Sequence, residues 1–206
     1  MSDGYESMTS FRSLRVIFLS VTTLAGAAAQ SQQADFNEKL VQAGVAQAGA
    51  AVAYDGSYRR IAYPGGDVPA NIGVCTDVII RAYRAVGIDL QVRVHEDMRQ
   101  SFDTYPRIWG LSRADPNIDH RRVPNLQTYF RRQGAELPLT AQSQFRPGDL
   151  VTWMLPGNLP HIGMVTDRRS SDGKRWLIVH NIGRGPQIED MLFDFRITGH
   201  YRYPAD

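Results

Sequence analysis

The sequence predicts an α+β fold, and three observations carry that reading. Apolar spacing of helical period runs through the first two-thirds of the chain. The last third carries short apolar runs bounded by Gly, Pro, Asn and Asp. The two textures follow one another without alternating, which argues against βαβ repetition. At 206 residues the chain is long enough for one domain with a real core. Hydrophobic content of 43% and charged content of 21% are those of an ordinary globular protein. The formal net charge is +2, with no long basic run and no repeated basic–aromatic pattern, so nucleic acid is not an implied partner.

The first 29 residues read as a secretory signal. Arg12 and Arg15 form a positive n-region, Val16 to Leu24 an apolar core, and Ala27-Ala28-Ala29 a small-residue cleavage pattern. Met8 as the start would give an n-region of more usual length. The apolar run is short for a bilayer span, and no cysteine stands near the cleavage point to accept a lipid. The expectation is a single domain over 30–206, exported to a bacterial periplasm or cell surface, with no stable membrane span after cleavage.

The mature chain opens on a helix from Asp35 to about Val52, with Phe36, Leu40, Val41 and Val45 on its apolar stripe. A turn at Tyr54–Tyr58 and a Gly/Pro-rich loop from Ile61 to Pro69 follow. The next helix begins at Cys75. Apolar or small side chains recur at 75, 79, 82, 83 and 86, one face of a helix, and Gly87 stops it. Further helices are expected over Val94–Thr104 and Asn125–Gln133, the latter with Pro124 in its first turn and Gly134 as its stop. The pairs Arg121-Arg122 and Arg131-Arg132 read as solvated helix faces. Three strands then follow at Leu150–Met154, His161–Thr166 and Trp176–His180, joined by short turns as an antiparallel meander. One or two more are expected near Ile188–Phe195 and Gly199–Tyr203.

Cys75 is the only cysteine, so in an oxidising compartment it has no disulfide partner within the chain. At a helix N-terminus it meets unpaired N–H groups and the positive end of the macrodipole, which favour thiolate. By itself it reads equally well as a nucleophile or as a small buried hydrophobe. A nucleophilic thiol needs an imidazole base and a group to orient it. Of five histidines, His161 starts one strand and His180 ends the next, so an antiparallel pairing sets them side by side at one sheet edge. His95-Glu96-Asp97 and Asp119-His120 are rich in metal-ligand types, yet lack an i, i+4 ligand pair.

These parts have a familiar order: Tyr63 with Gly65-Gly66, then Cys75-Thr76-Asp77, Pro147 to Val151, His161-Ile162-Gly163-Met164-Val165, and Ile178-Val179-His180. The order resembles the NlpC-type branch of the papain-like cysteine hydrolases, cell-wall enzymes that cut peptide bonds in peptidoglycan. More narrowly, Gly-Val-Cys-Thr-Asp-Val, Gly-Ile-Asp-Leu-Gln, Val-His-Glu-Asp-Met, Asn-Ile-Asp-His-Arg-Arg-Val-Pro-Asn-Leu and His-Asn-Ile-Gly are similar to a bacterial exported family known as domain of unknown function 1287. The likeness spans about residues 35 to 205. One departure stands out: the NlpC-type pattern carries Ser-Gly after the cysteine, where this chain has Thr76-Asp77. Asp77 could face substrate or an arginine, or cap its own helix.

The resemblance implies a papain-like (NlpC-type) core, with N-terminal helices packed on a C-terminal antiparallel β-sheet. It implies that Cys75 attacks a peptide or amide carbonyl in peptidoglycan stem peptides through a thioester. His161 would be the base, with His180, or failing that Asn181, orienting its Nδ1–H. The Cys75 N–H and the Tyr63 hydroxyl would meet the oxyanion, and no cofactor or metal is implied. An N-acetylmuramoyl-L-alanine amidase, an acyl transferase, and a non-catalytic cell-wall binding module remain open. A thiol redox protein would want a second cysteine.

Overall fold

The computed structural model describes residues 17–140 and 143–204, with side chains from residue 31 onward. Arg12, Arg15 and the alternative start at Met8 lie outside these residues. The chain divides into two compact units, 1–35 and 36–206. In the first, the backbone is helical from Ile17, within α1 (Ile17–Val45). Among the described residues no helix is long and apolar enough to cross a membrane.

The second unit is a mixed α+β structure, with helices followed by a five-stranded antiparallel sheet. Helix α1 stops at Val45, before the expected end at Val52. Ala53–Tyr54 instead form β1, a short strand parallel to β2 (Ile72–Gly73). The alanine-rich stretch to Val52 favours helix only weakly, and a turn with Gly49 at φ +82° breaks it first. β2 leads through Val74 into α2 (Cys75–Ala85). Asp77 starts this helix by accepting the Val74 N–H at 2.6 Å. Gly87, at φ +85°, ends it, with the Ile88 N–H closing back on the Tyr83 carbonyl.

Helix α3 (Leu90–Ser101) is capped by Asp89, whose carboxylate accepts the Gln91 N–H at 2.9 Å, so it starts four residues earlier than Val94. A 3₁₀ turn, Phe102–Thr104, completes it. A second 3₁₀ turn, Asp119–Arg121, precedes α4 (Val123–Arg132). The sheet comprises β3 (Leu150–Leu155), β4 (Leu159–Arg169), β5 (Trp176–His180), β6 (Gln187–Glu189) and β7 (Arg196–Tyr201), in the order β6-β5-β4-β3-β7.

The two sheet faces bury separate cores. Leu150, Ile162, Met164 and Val179 meet Cys75, Ile79, Ala82 and Tyr83 of α2 and the apolar sides of α3 and α4. Val151, Trp153, Val165 and Ile178 form a smaller cluster with Met191 and Leu192. Each fully buried Ile or Leu adds about 1.5–3 kcal/mol, so the larger core supplies most of the packing energy. This packing holds the first turn of α2 against β4.

Candidate active site

Cys75 occupies the first turn of α2 and is 4% exposed. The Ile162 N–H lies at its sulfur, as does that of its neighbour Thr76, and both favour the thiolate. The sheet explains the first contact. Met164 pairs with Val179, so β5 reaches only as far as Gly163 while β4 runs on to Leu159. Beyond that point the Ile162 amide lacks a β5 partner, and the thiol fills the gap.

One residue back along β4 is His161. It shares a sheet face with Trp153, directly across on β3, and their rings sit 5.9 Å apart. Its Nε2 meets Nδ1 of His180 at 2.9 Å, and the two rings are nearly perpendicular, at 83°. His180 in turn donates from Nε2 to Glu189 Oε2 at 2.8 Å. The expected side-by-side histidines are therefore in direct contact. The nitrogen differs from the expectation, because His161 reaches His180 through Nε2 rather than Nδ1, and its Nδ1 is the nitrogen left over.

Burial sets the charge state. Desolvation pushes the Cys75 thiol up to about 11, against the lowering pull of the Ile162 and Thr76 amides. Desolvation, with the neighbouring His180, pushes His161 down to about 3. His180 is lowered by burial as well, against a raising contribution from Glu189. The resting pair is thiol and neutral imidazole, and the helix terminus alone does not make a thiolate here.

The other anticipated residues fall elsewhere. Asn181 does not hold His161. Its amide donates to the Gly73 carbonyl at 3.4 Å and its oxygen accepts the Gly183 N–H at 3.0 Å, tying the loop after β5 to the lead-in of α2. Tyr63 lies edge-on to His95 at 5.1 Å, on the exposed Gly/Pro loop. The tyrosine at the thiol is Tyr54 of β1. Its hydroxyl lies at the thiol, and burial pushes its pKa up to about 12. That hydroxyl stays protonated and is a donor.

Of the readings open for Asp77, the cap and the arginine are both present. Its carboxylate binds Arg121 through two hydrogen bonds, at 2.9 and 2.8 Å, and both side chains are 2% exposed. Arg121 also donates to the Asp55 carbonyl at 3.2 Å, and Thr76 Oγ1 donates to the Arg121 carbonyl at 3.0 Å. Arg121 is thus not on a solvated face. It fastens the loop after β1, and with it Tyr54, to the first turn of α2. Arg131 and Arg132 keep to the surface, paired with Glu136 and Asp97.

Among the described residues no group of three or more His, Cys, Asp or Glu is placed to hold a metal ion. Sequence reasoning missed Glu189, Tyr54 and the Asp77–Arg121 pair. Spacing gave no signal for Glu189: it shares a face with His180 only through the register of β5 with the three-residue strand β6.

A buried helix-borne thiol and, one residue along β4 from the amide at its sulfur, an imidazole pair closed by a carboxylate mark the candidate site of this α+β scaffold. The family to which the chain belongs is the one described as domain of unknown function DUF1287, which matches residues 41–203 and so takes in the whole site. The chain is also similar to the "Uncharacterized protein YijF" of Escherichia coli (strain K12), 49% identical over 172 residues that cover 83% of each chain.

Proposed function

We propose that the protein is an exported cysteine hydrolase of papain-like, NlpC-type architecture that cleaves peptide or amide bonds in peptidoglycan stem peptides. The observation that carries this reading is the contact of His161 Nε2 with His180 Nδ1 at 2.9 Å, one residue along β4 from the amide that touches the Cys75 sulfur. Nucleophilic catalysis by a thiol requires an imidazole whose second ring nitrogen is held by a further group, and His161, held by His180, offers one.

In this reading His161 Nδ1 takes the thiol proton as Cys75 attacks the scissile carbonyl. The same proton then passes to the leaving amine, and water hydrolyses the thioester to free acid and thiol. The neutral resting pair makes the base step part of the reaction rather than a standing ion pair. The Cys75 N–H and the Tyr54 hydroxyl serve the oxyanion. Tyr54 takes the place assigned to Tyr63 in the sequence reading. The substrate class rests on the resemblance and on the signal-like N-terminus.

One observation favours a second reading. A thiol 4% exposed and pushed up to about 11 also suits a non-catalytic binding module. The two separate on incubation of the 30–206 chain and its Cys75→Ala variant with purified peptidoglycan, followed by mass spectrometry of the soluble fragments. The hydrolase reading expects new termini from the unaltered protein alone. Identical fragment sets from both proteins, or none from either, would overturn it for this substrate. Fragment mass also separates an endopeptidase from a muramoyl amidase or an acyl transferase.

A further inference from the structure

We infer that Glu189 is a positioning residue that fixes the proton arrangement of the histidine pair and leaves His161 Nδ1 as a free lone pair. The inference rests on the proposed hydrolase reading for its catalytic meaning, while the proton arrangement itself follows from hydrogen-bond donors and acceptors alone.

The steps are few. An ionised carboxylate accepts hydrogen bonds and has none to donate. Glu189 Oε2 lies 2.8 Å from His180 Nε2, so that nitrogen carries the hydrogen. A neutral imidazole bears one N–H, so His180 Nδ1 is then an acceptor. His161 Nε2, 2.9 Å away, must donate to it. His161 is neutral too, so its remaining nitrogen, Nδ1, has no hydrogen. The alternative, a His180 protonated at both nitrogens, would place a cation against the buried His161 ring, with its own side chain 1% exposed. Burial disfavours that form.

The strands determine why Glu189 can do this. β6 pairs antiparallel with β5, with Gln187 opposite His180 and Glu189 opposite Ile178. Gln187, His180, Ile178 and Glu189 therefore share one face, and Glu189 is the diagonal neighbour of the histidine. Its side chain is 45% exposed, so the carboxylate remains in water while its oxygen reaches the ring. The buried histidines set the geometry, and the exposed carboxylate supplies the direction. No charge needs to be buried, which is why this acid can sit at the end of an apolar site.

The test is tautomer assignment by long-range ¹H–¹⁵N correlation on the ¹⁵N-labelled chain at neutral pH. The expected result is an Nε2–H tautomer at both His161 and His180. In Glu189→Ala the constraint is gone, and both rings are expected to shift toward mixtures with Nδ1–H. Glu189→Gln retains an accepting oxygen and is expected to restore the pattern at least in part, which a merely structural role would not produce. An Nδ1–H tautomer at His161 in the unaltered protein, or an identical pattern in Glu189→Ala, would overturn the inference. The same spectra on Cys75→Ala are expected to keep the Nε2–H pattern. If the unaltered protein shows the Nε2–H pattern at both rings and yet leaves peptidoglycan intact, the hydrolase reading fails and the proton arrangement stands.

Discussion

Two histidine–carboxylate pairs of nearly equal length sit in this molecule, and they lead to different ends. His180 meets Glu189 at 2.8 Å, and its other nitrogen passes the contact on to His161, one residue along β4 from the amide at the thiol. His200 on β7 meets Asp149 at 2.7 Å, and its other nitrogen is buried without a partner, its ring 4.3 Å from Phe145. Asp149 is 1% exposed and already binds Arg202 at 2.8 and 3.0 Å and the Arg146 N–H at 2.8 Å. Glu189 is half in solvent and, among the described residues, has no such second cation. A histidine on a carboxylate is therefore no signature of chemistry by itself. What the second ring nitrogen meets sets the two apart: a second imidazole in one place, an aromatic wall in the other.

The largest effect that would sharpen this contrast is on stability. Asp149→Ala leaves Arg202 without its carboxylate and His200 buried without either partner, and removing one member of a buried charged pair costs about 3–5 kcal/mol. Denaturant unfolding of the folded variant checks this, and a loss below about 1 kcal/mol would break the structural assignment of the His200 pair. A smaller effect belongs to acid. Burial holds His161 down to about 3 and His120 to about 4, from an ordinary 6.5. Both are depressed, so the unfolded chain binds protons first. Their contribution is complete above pH 6.5 and is lost as pH falls toward 3, with a slope of at most about 1.4 kcal/mol per pH unit for each histidine. Unfolding free energies of the unaltered chain and His161→Asn across that window should differ in slope, and equal slopes would contradict a neutral buried His161. The smallest effect is expected at Glu189→Ala, below about 1 kcal/mol, because an exposed carboxylate gains little from pairing. A loss as large as that of Asp149→Ala would erase the distinction between the pairs.

The architecture was legible where local pattern and tertiary packing agree. The cysteine helix, the helix started by Pro124 and the three central strands all follow from period, caps and turn residues. So does the meeting of His161 and His180, since antiparallel pairing brings one strand's start beside the next strand's end. The failures have physical causes. Arg121 looked solvated because a doubled arginine usually is, and only tertiary structure brings Asp77 to its guanidinium across 44 residues. Tyr63 comes with the family's glycine-rich loop, and Tyr54 reads only as part of a turn; the two-residue parallel pairing of β1 and β2 brings Tyr54 to the thiol. The choice of ring nitrogen at His161 is set by side-chain rotation, to which residue spacing is blind. The helix terminus promised a thiolate, and burial outweighs it.

That last conflict points to the most direct measurement of the central claim, that His161 activates Cys75. The rate of Cys75 alkylation by iodoacetamide at neutral pH, followed by intact mass, should fall by about 10²-fold in His161→Asn, the low end of what a positioned base contributes. His200→Asn, which alters the other pair, should react at the rate of the unaltered chain. Equal rates in the unaltered chain and His161→Asn would contradict the account and leave Cys75 a buried thiol of the core.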